Sequence, residues 1–343
     1  SDGSKAQNRT YQDLLKNPTD EINFENIISS ELYKVNINGK SELFMAKNMY
    51  AGESFSPDGN YIMISTIQKP FSYIVPISRF PSKTVVYNSA GKEIKVVNEV
   101  PLSEVLPKGF MAVRTGKRSM SWRNDKPATL YYVEAIDGGN PETKVDFRDE
   151  LFLWDAPFDN QAKSFAKTIN RFAGITWGND NIAILSDNWY DTRNSKTYLI
   201  NPSNPKQEAK IIWDRNYQDI YSDPGDFETI RNQWGRNVLA IEDGEAFLIG
   251  DGYTKEGKFP FINKFNLKTF KTTLLYRSTL TNILENIYDI VDVKKGEVLV
   301  QIQSKSEYPN YYIRSLHKKE SLSPITAFKN PFESIKNVHK EVI

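Results

Sequence analysis

Along most of the chain, apolar and polar positions alternate in short runs, and clusters of Gly, Asn, Asp, Pro and Ser separate the runs. The stretch ESFSPDGNYIMIST (Glu53–Thr66) shows the form: two such runs meet at an SPDG corner. A period of two puts successive side chains on opposite faces of a pleated backbone, so each run predicts a half-buried β-strand. Helical periodicity is scarce. It is strongest over Tyr11–Ser30, which Pro18 divides, and weaker over Leu102–Leu106 and Phe332–Val338.

The runs recur in groups of two pairs. Glu53–Thr66 is followed by Lys83–Val97, Ser119–Ala135 by Asp149–Ala166, and Gly174–Ser186 by Lys196–Trp213. Gly235–Gly250 then precedes Pro260–Tyr276, and Ile287–Gln303 precedes Asn310–Phe328. Group starts lie roughly 50–65 residues apart, which reads as an internal repeat with insertions. Each group predicts a four-stranded antiparallel sheet, with Asn, Asp and Gly supplying the positive φ of the tight corners. Such a sheet cannot cover both of its own faces, and side-by-side stacking of repeated sheets gives a β-propeller. A β-sandwich would not repeat the unit five times. An unaccompanied pair, Glu31–Ala46, has the shape of the outer half of a further blade.

The expectation is therefore an all-β fold: a β-propeller of four-stranded antiparallel blades, about five and a half of them, over residues 31–328. Residues 1–30 are expected to be partly helical, and residues 329–343 to form a connector. The proline-broken run KPFSYIVPISRFP (Lys69–Pro81) is expected as an excursion over one face of the first blade, where no ladder hydrogen bond is lost. Trp122, Trp154 and Trp177 fall at apolar strand positions and are expected in the core.

Composition narrows the partners. Hydrophobic residues make up 39% of the 343 residues and charged residues 25%, enough for a packed core. Lys and Arg total 44 against 43 Asp and Glu, so no basic surplus calls for nucleic acid or an anionic membrane. No run of about 18 apolar residues exists to cross a bilayer. Cysteine is absent, which excludes disulfides, zinc–thiolate sites and thiol nucleophiles. No cofactor and no metal are expected.

Chemistry is sparse. The strained elbow that presents a serine nucleophile needs G-x-S-x-G, and the nearest approach, Gly52-Glu53-Ser54-Phe55-Ser56, ends in Ser. Only two histidines are present, His317 and His339, without H-E-x-x-H spacing. Both are expected as solvated surface groups. Catalytic residues: none expected. The acidic runs Asp187–Asp191, Tyr221–Asp226 and Asp146–Glu150 could supply paired acids for glycoside hydrolysis, or, through Asp223 and Asp226, part of a calcium site. Turn formation and surface ion pairing account for the same residues.

Beyond the repeat, the motifs SPDGNYIMIS with PFSYIVPISRFP, Ala112–Phe158, Gly174–Arg193, YSDPGDF (Tyr221–Phe227) and YPNYYIRSL (Tyr308–Leu316) resemble the propeller of prolyl oligopeptidase-family serine peptidases. The resemblance is to the bacterial and plastid glutamyl endopeptidase branch, and it spans most of residues 40–343. It implies a seven-bladed propeller, begun upstream of Ser1, that gates peptide access to a C-terminal α/β-hydrolase domain absent from this chain. It also implies a periplasmic or secreted location. A peptidase that prefers acidic side chains needs cations near its substrate. Arg79, Arg118, Arg123, Arg148 and Arg193, with Arg114 and Lys117 beside them, lie inside the resembling motifs and are the candidates. Pairing with neighbouring acids inside the propeller is the plainer role for each. Expected partners are the hydrolase domain and a peptide, with a dimer through exposed terminal blades as a further expectation. The competing readings are a stand-alone propeller that binds protein or glycan, and a carboxylate glycosidase.

Overall fold

A computed structural model describes residues 11–279, 283–305, 307–317, 321–332 and 334. The chain divides into two compact units, one of residues 1–214 and 231–236, the other of residues 215–230 and 237–343.

The first unit opens with a helix, Pro18–Ile28. Pro18 stands in the first turn, where its missing N–H costs nothing, and the Asn17 side chain caps the end by accepting from the Asp20 N–H at 3.0 Å. Asp20 and Glu21 add negative charge at the positive end of the dipole. A hairpin follows, Ser30–Val35 with Ser41–Asn48. Three four-stranded sheets come next, each in sequential order. The first holds Tyr50–Phe55, Tyr61–Ile67, Ser82–Asn88 and Glu93–Val100. The second holds Arg118–Trp122, Thr129–Ala135, Asp149–Asp155 and Lys163–Thr168. The third holds Arg171–Asn179, Ile182–Trp189, Asn194–Ile200 and Lys210–Asn216. The second unit adds a five-stranded sheet centred on Glu245–Gly250 and Phe261–Asn266, a four-stranded sheet running from Ile283–Asp292 to Leu322–Pro324, and the short pair Tyr253–Thr254 with Gly257–Lys258. The fold is all-β, of four-stranded antiparallel propeller blades, preceded by one hairpin.

Adjacent blades pack face to face. Val86 and Val97 of the first sheet meet Trp122, Leu130, Tyr132, Trp154 and Phe158 of the second. The other face of the second sheet, through Val133, Leu151 and Phe165, meets Trp177, Leu185 and Tyr198 of the third. In the second unit Phe247 and Ile262 pack on Ile290, Val298 and Val300. The alternation read from the sequence thus serves both faces of a blade. Trp122, Trp154 and Trp177 are all buried.

The SPDG corner is held by its own side chains. Ser56 Oγ donates to Asp58 Oδ1 at 2.6 Å and accepts from the Tyr61 N–H at 3.0 Å, and Gly59 takes φ +74°. The Asp58 N–H donates to Pro127 O, docking this corner on the matching corner of the next blade.

The proline-broken excursion leaves the strand ladder as expected and also carries a core of its own: Phe71, Val75 and Phe80 are buried with Met49 and Ile67, against Tyr11, Leu15, Phe24 and Ile28. Phe24 of the helix meets Phe71 and Phe80 edge-on at 5.0 and 5.8 Å. Two other local expectations change. Leu102–Leu106 is irregular, because Pro101 and Pro107 flank it and the position before a proline disfavours helix. In the fourth blade the pair expected around the Asp243-Gly244 corner forms only over Ile241–Glu242 with Glu245 and Ala246; Asp226–Phe227 pairs with Ile249 and Leu248 further along the same strand, while Asn237–Leu239 lies off that sheet. Gly225, at φ +87°, allows the approach: a Cβ there would lie 2.5 Å from Ile249 O. Most of Phe332–Val338, and His339, lie outside the described residues.

Candidate functional site

The arginines singled out by sequence fall in several separate places, all in the first unit. The largest assembly joins the second and third blades. Asp137, in the corner after Thr129–Ala135, and Asp149, opening the next strand, both have fully buried side chains. Arg171 lies between them. Its Nη1 and Nη2 donate to Asp137 Oδ1 and Oδ2 at 2.8 and 2.7 Å, its Nη1 also reaches Asp149 Oδ1 at 3.0 Å, and its Nε donates to Met111 O. Arg148 donates to Asp137 at 2.9 Å and lies over the Trp189 ring at 4.1 Å. Arg118 donates to Asp149 at 2.5 Å. Asp149 also accepts from the Phe172 N–H, which ties it to the first strand of the following blade. The loop around Asp137 is shaped by Gly139, at φ +73°, where a Cβ would fall 2.0 Å from Val113 O.

Three guanidinia against two carboxylates leave this assembly one positive charge in excess. Its geometry is that of a brace, since forked donors on buried carboxylates fix the angle between two blades. Arg123 forms a smaller copy: Nε and Nη2 grip Asp125 at 2.8 and 2.7 Å while the guanidinium lies 4.5 Å from the Trp177 ring centre. Arg193 is half-buried, stacked 3.7 Å over Tyr190 with Nη1 donating to Tyr190 O. Arg114 donates to the carbonyls of Thr115 and Lys117, and burial pulls its pKa down. Lys117 donates to Val97 O and sits 4.4 Å over Trp154, with burial again the main cause of a lowered pKa.

Arg79 is different. It ends the short helix Ile77–Arg79 and is buried beside the Phe71–Phe80 core, 5.2 Å over the Tyr11 ring. Neither Nη1 nor Nη2 has a hydrogen-bond partner, and the Tyr11 hydroxyl is likewise buried without one.

The acidic runs separate in the same way. Asp187 is fully buried and accepts from Asn170, from the Lys196 N–H and from the Tyr198 hydroxyl at 2.5 Å. Burial, then the bond to Asp187, drives the Tyr198 pKa far up. Asp187 is thus a buried structural acceptor with donors on both of its oxygens. In the second unit, Asp226 is pushed up by burial, Asp223 and Asp251. Glu228 is pushed up to about 7, first by burial and then by Asp289 and Asp226. Among the described residues no group of three His, Asp or Glu is arranged to hold a metal ion. Sequence reading passed over Arg171, Asp137 and Glu228. Arg171 opens a strand and Asp137 lies in a connection 34 positions earlier, and only the fold shows that they meet.

No protein-family model matches the chain. It is 33% identical over 353 aligned positions to a probable glutamyl endopeptidase, chloroplastic, of Oryza sativa subsp. japonica. It is 31% identical to a protein of the same description from Arabidopsis thaliana. Each alignment takes in 98% of this chain but only 38% and 37% of those proteins. Solved structures are more distant. Dipeptidyl peptidase 4 of Porphyromonas gingivalis aligns with TM-score 0.47 and 14% identity, over 87% of this chain and 42% of that one. The β-propeller domain of the trilobed protease of Pyrococcus furiosus aligns with TM-score 0.42 and 10% identity, over 90% and 78%. Along 98% of its length the chain is thus homologous to a part, 38% and 37%, of two probable glutamyl endopeptidases, and that part is built of propeller blades.

Proposed function

We propose that this chain is the non-catalytic propeller of a glutamyl endopeptidase-like serine peptidase, and that it restricts peptide entry to a hydrolase domain encoded outside these 343 residues. The observation that carries the reading is the coverage: 98% of the chain aligns to peptidases of which it spans about 38%. The sequence contains no G-x-S-x-G elbow, in keeping with chemistry supplied elsewhere. In this reading the braces at Asp137–Asp149 and Asp125 hold blade angles fixed, so that the peptide path keeps its width. A periplasmic or secreted location goes with the reading and is checked by cell fractionation.

The test is direct. The purified 343-residue chain should not hydrolyse glutamyl chromogenic peptides, whereas the longer natural protein should. Turnover that scales with the purified chain would overturn the proposal, as would a stop codon immediately after Ile343 in the natural gene. Exposed apolar residues on the hairpin, among them Tyr33, Val35 and Leu43, support the further proposal that the isolated chain pairs with a second copy, which sedimentation at graded concentrations checks.

A further inference from the structure

A guanidinium keeps its charge at any pH the protein meets, so burying it demands an acceptor. Among the described residues four arginines are buried, and three of them meet a carboxylate: Arg123 meets Asp125, Arg171 meets Asp137 and Asp149, and Arg314 meets Glu285. Arg79 meets none. Its two terminal nitrogens lie buried and without an acceptor, and the tyrosine ring beneath them offers only its face and an unpartnered hydroxyl. Glu104, next to the Ser103 whose N–H donates to Arg79 O, is exposed and accepts instead from Ser72 Oγ at 2.6 Å. A cation–π contact compensates part of the lost hydration, not the two empty donors.

We propose that Arg79 is a binding site for one carboxylate, which its two Nη groups grip side by side beside Tyr11. The planar fork matches the two oxygens of a carboxylate, and the surrounding Phe71, Val75 and Phe80 core favours the methylene stem of an acidic side chain over a strongly hydrated inorganic anion. The carboxylate comes either from an acidic peptide or from a part of the natural protein outside this chain. The first source rests on the peptidase reading above; the site itself rests only on the buried donors.

The experiment follows thermal unfolding of the 343-residue chain with glutarate, with the peptide Ala-Ala-Glu-Ala-Ala and with its Gln counterpart, all at constant ionic strength. Glutarate near saturation should raise Tm by about 2–4 °C. The rise should vanish in Arg79→Met and shrink in Arg79→Lys, which keeps the charge without the fork. Ligand-free Arg79→Met should melt no lower than the parent, because it removes an unpaired buried cation. A response to the Glu peptide at concentrations at least tenfold below those of glutarate, without one to the Gln peptide, identifies a peptide ligand. A response to glutarate alone identifies an acid of the protein itself. Equal glutarate responses in parent and Arg79→Met, or no response in either, overturn the site. So does a clear fall in Tm of ligand-free Arg79→Met, the mark of a guanidinium already paired within the chain.

Discussion

Two acidic clusters, one in each unit, handle enclosure in opposite ways, although the second unit also holds the buried Glu285 against Arg314. In the first, Asp137 and Asp149 lie fully buried and are gripped by Arg118, Arg148 and Arg171. In the second, Glu228 faces Asp226 and Asp289, with no arginine among the causes of its shift, and holds its proton up to about pH 7. One arrangement neutralises charge with a partner, the other by protonation. The first costs desolvation but fixes geometry; the second leaves a blade whose stability depends on pH.

Arg171→Met breaks the contrast most severely. It removes the guanidinium shared by two buried carboxylates, leaving Asp137 to Arg148 and Asp149 to Arg118, and should cost about 3–5 kcal/mol in chemical denaturation. A loss under about 1 kcal/mol would show that the brace is dispensable. Next, Trp177→Ala should cost about 3 kcal/mol, since the ring fills the core between the second and third blades and carries Arg123 on its face. The acidic side of the comparison is sharpened by pH. Glu228 has a folded-state pKa above its ordinary 4.5, so the native state binds the proton more tightly. Its contribution is therefore complete below about pH 4.5 and declines as pH rises through about 7. Glu228→Gln should leave stability at pH 4 unchanged and raise it by about 1 kcal/mol at pH 8, the value being reduced for partial exposure. An equal effect at both pH values would place the cause in packing instead of charge. Smallest of all, Lys69→Ala removes an exposed pair with Glu25 and should shift stability by no more than about 0.5 kcal/mol.

Much of the architecture was legible because strand periodicity and corner chemistry are local. The hairpin at Ser30–Val35, the first three blades and the fifth fall where alternation and Gly, Asn or Asp corners put them. In the fourth blade the corner at Asp243-Gly244 was found, but the strand Asp226–Phe227 was missed because it is only two residues long, too short to show a period. The candidate site was legible in residue type alone. Arg118, Arg123 and Arg148 were found by motif, yet what each one touches depends on residues that are distant in sequence or placed in connections. Arg118 and Asp149 are 31 positions apart, and Arg171 and Asp137 are 34.

By itself, then, the sequence determined the repeat, the four-strand unit, the buried tryptophans and the kinship with a peptidase, because each is written in neighbouring residues or in a contiguous motif. Only the tertiary structure decided which charges are spent. Whether a guanidinium braces two blades, as at Arg171, or lies buried without an acceptor, as at Arg79, is set by what the folding of remote segments brings within hydrogen-bond reach. Burial then makes that difference count, since a charge screened by water on the surface must find its counter-charge once it is enclosed.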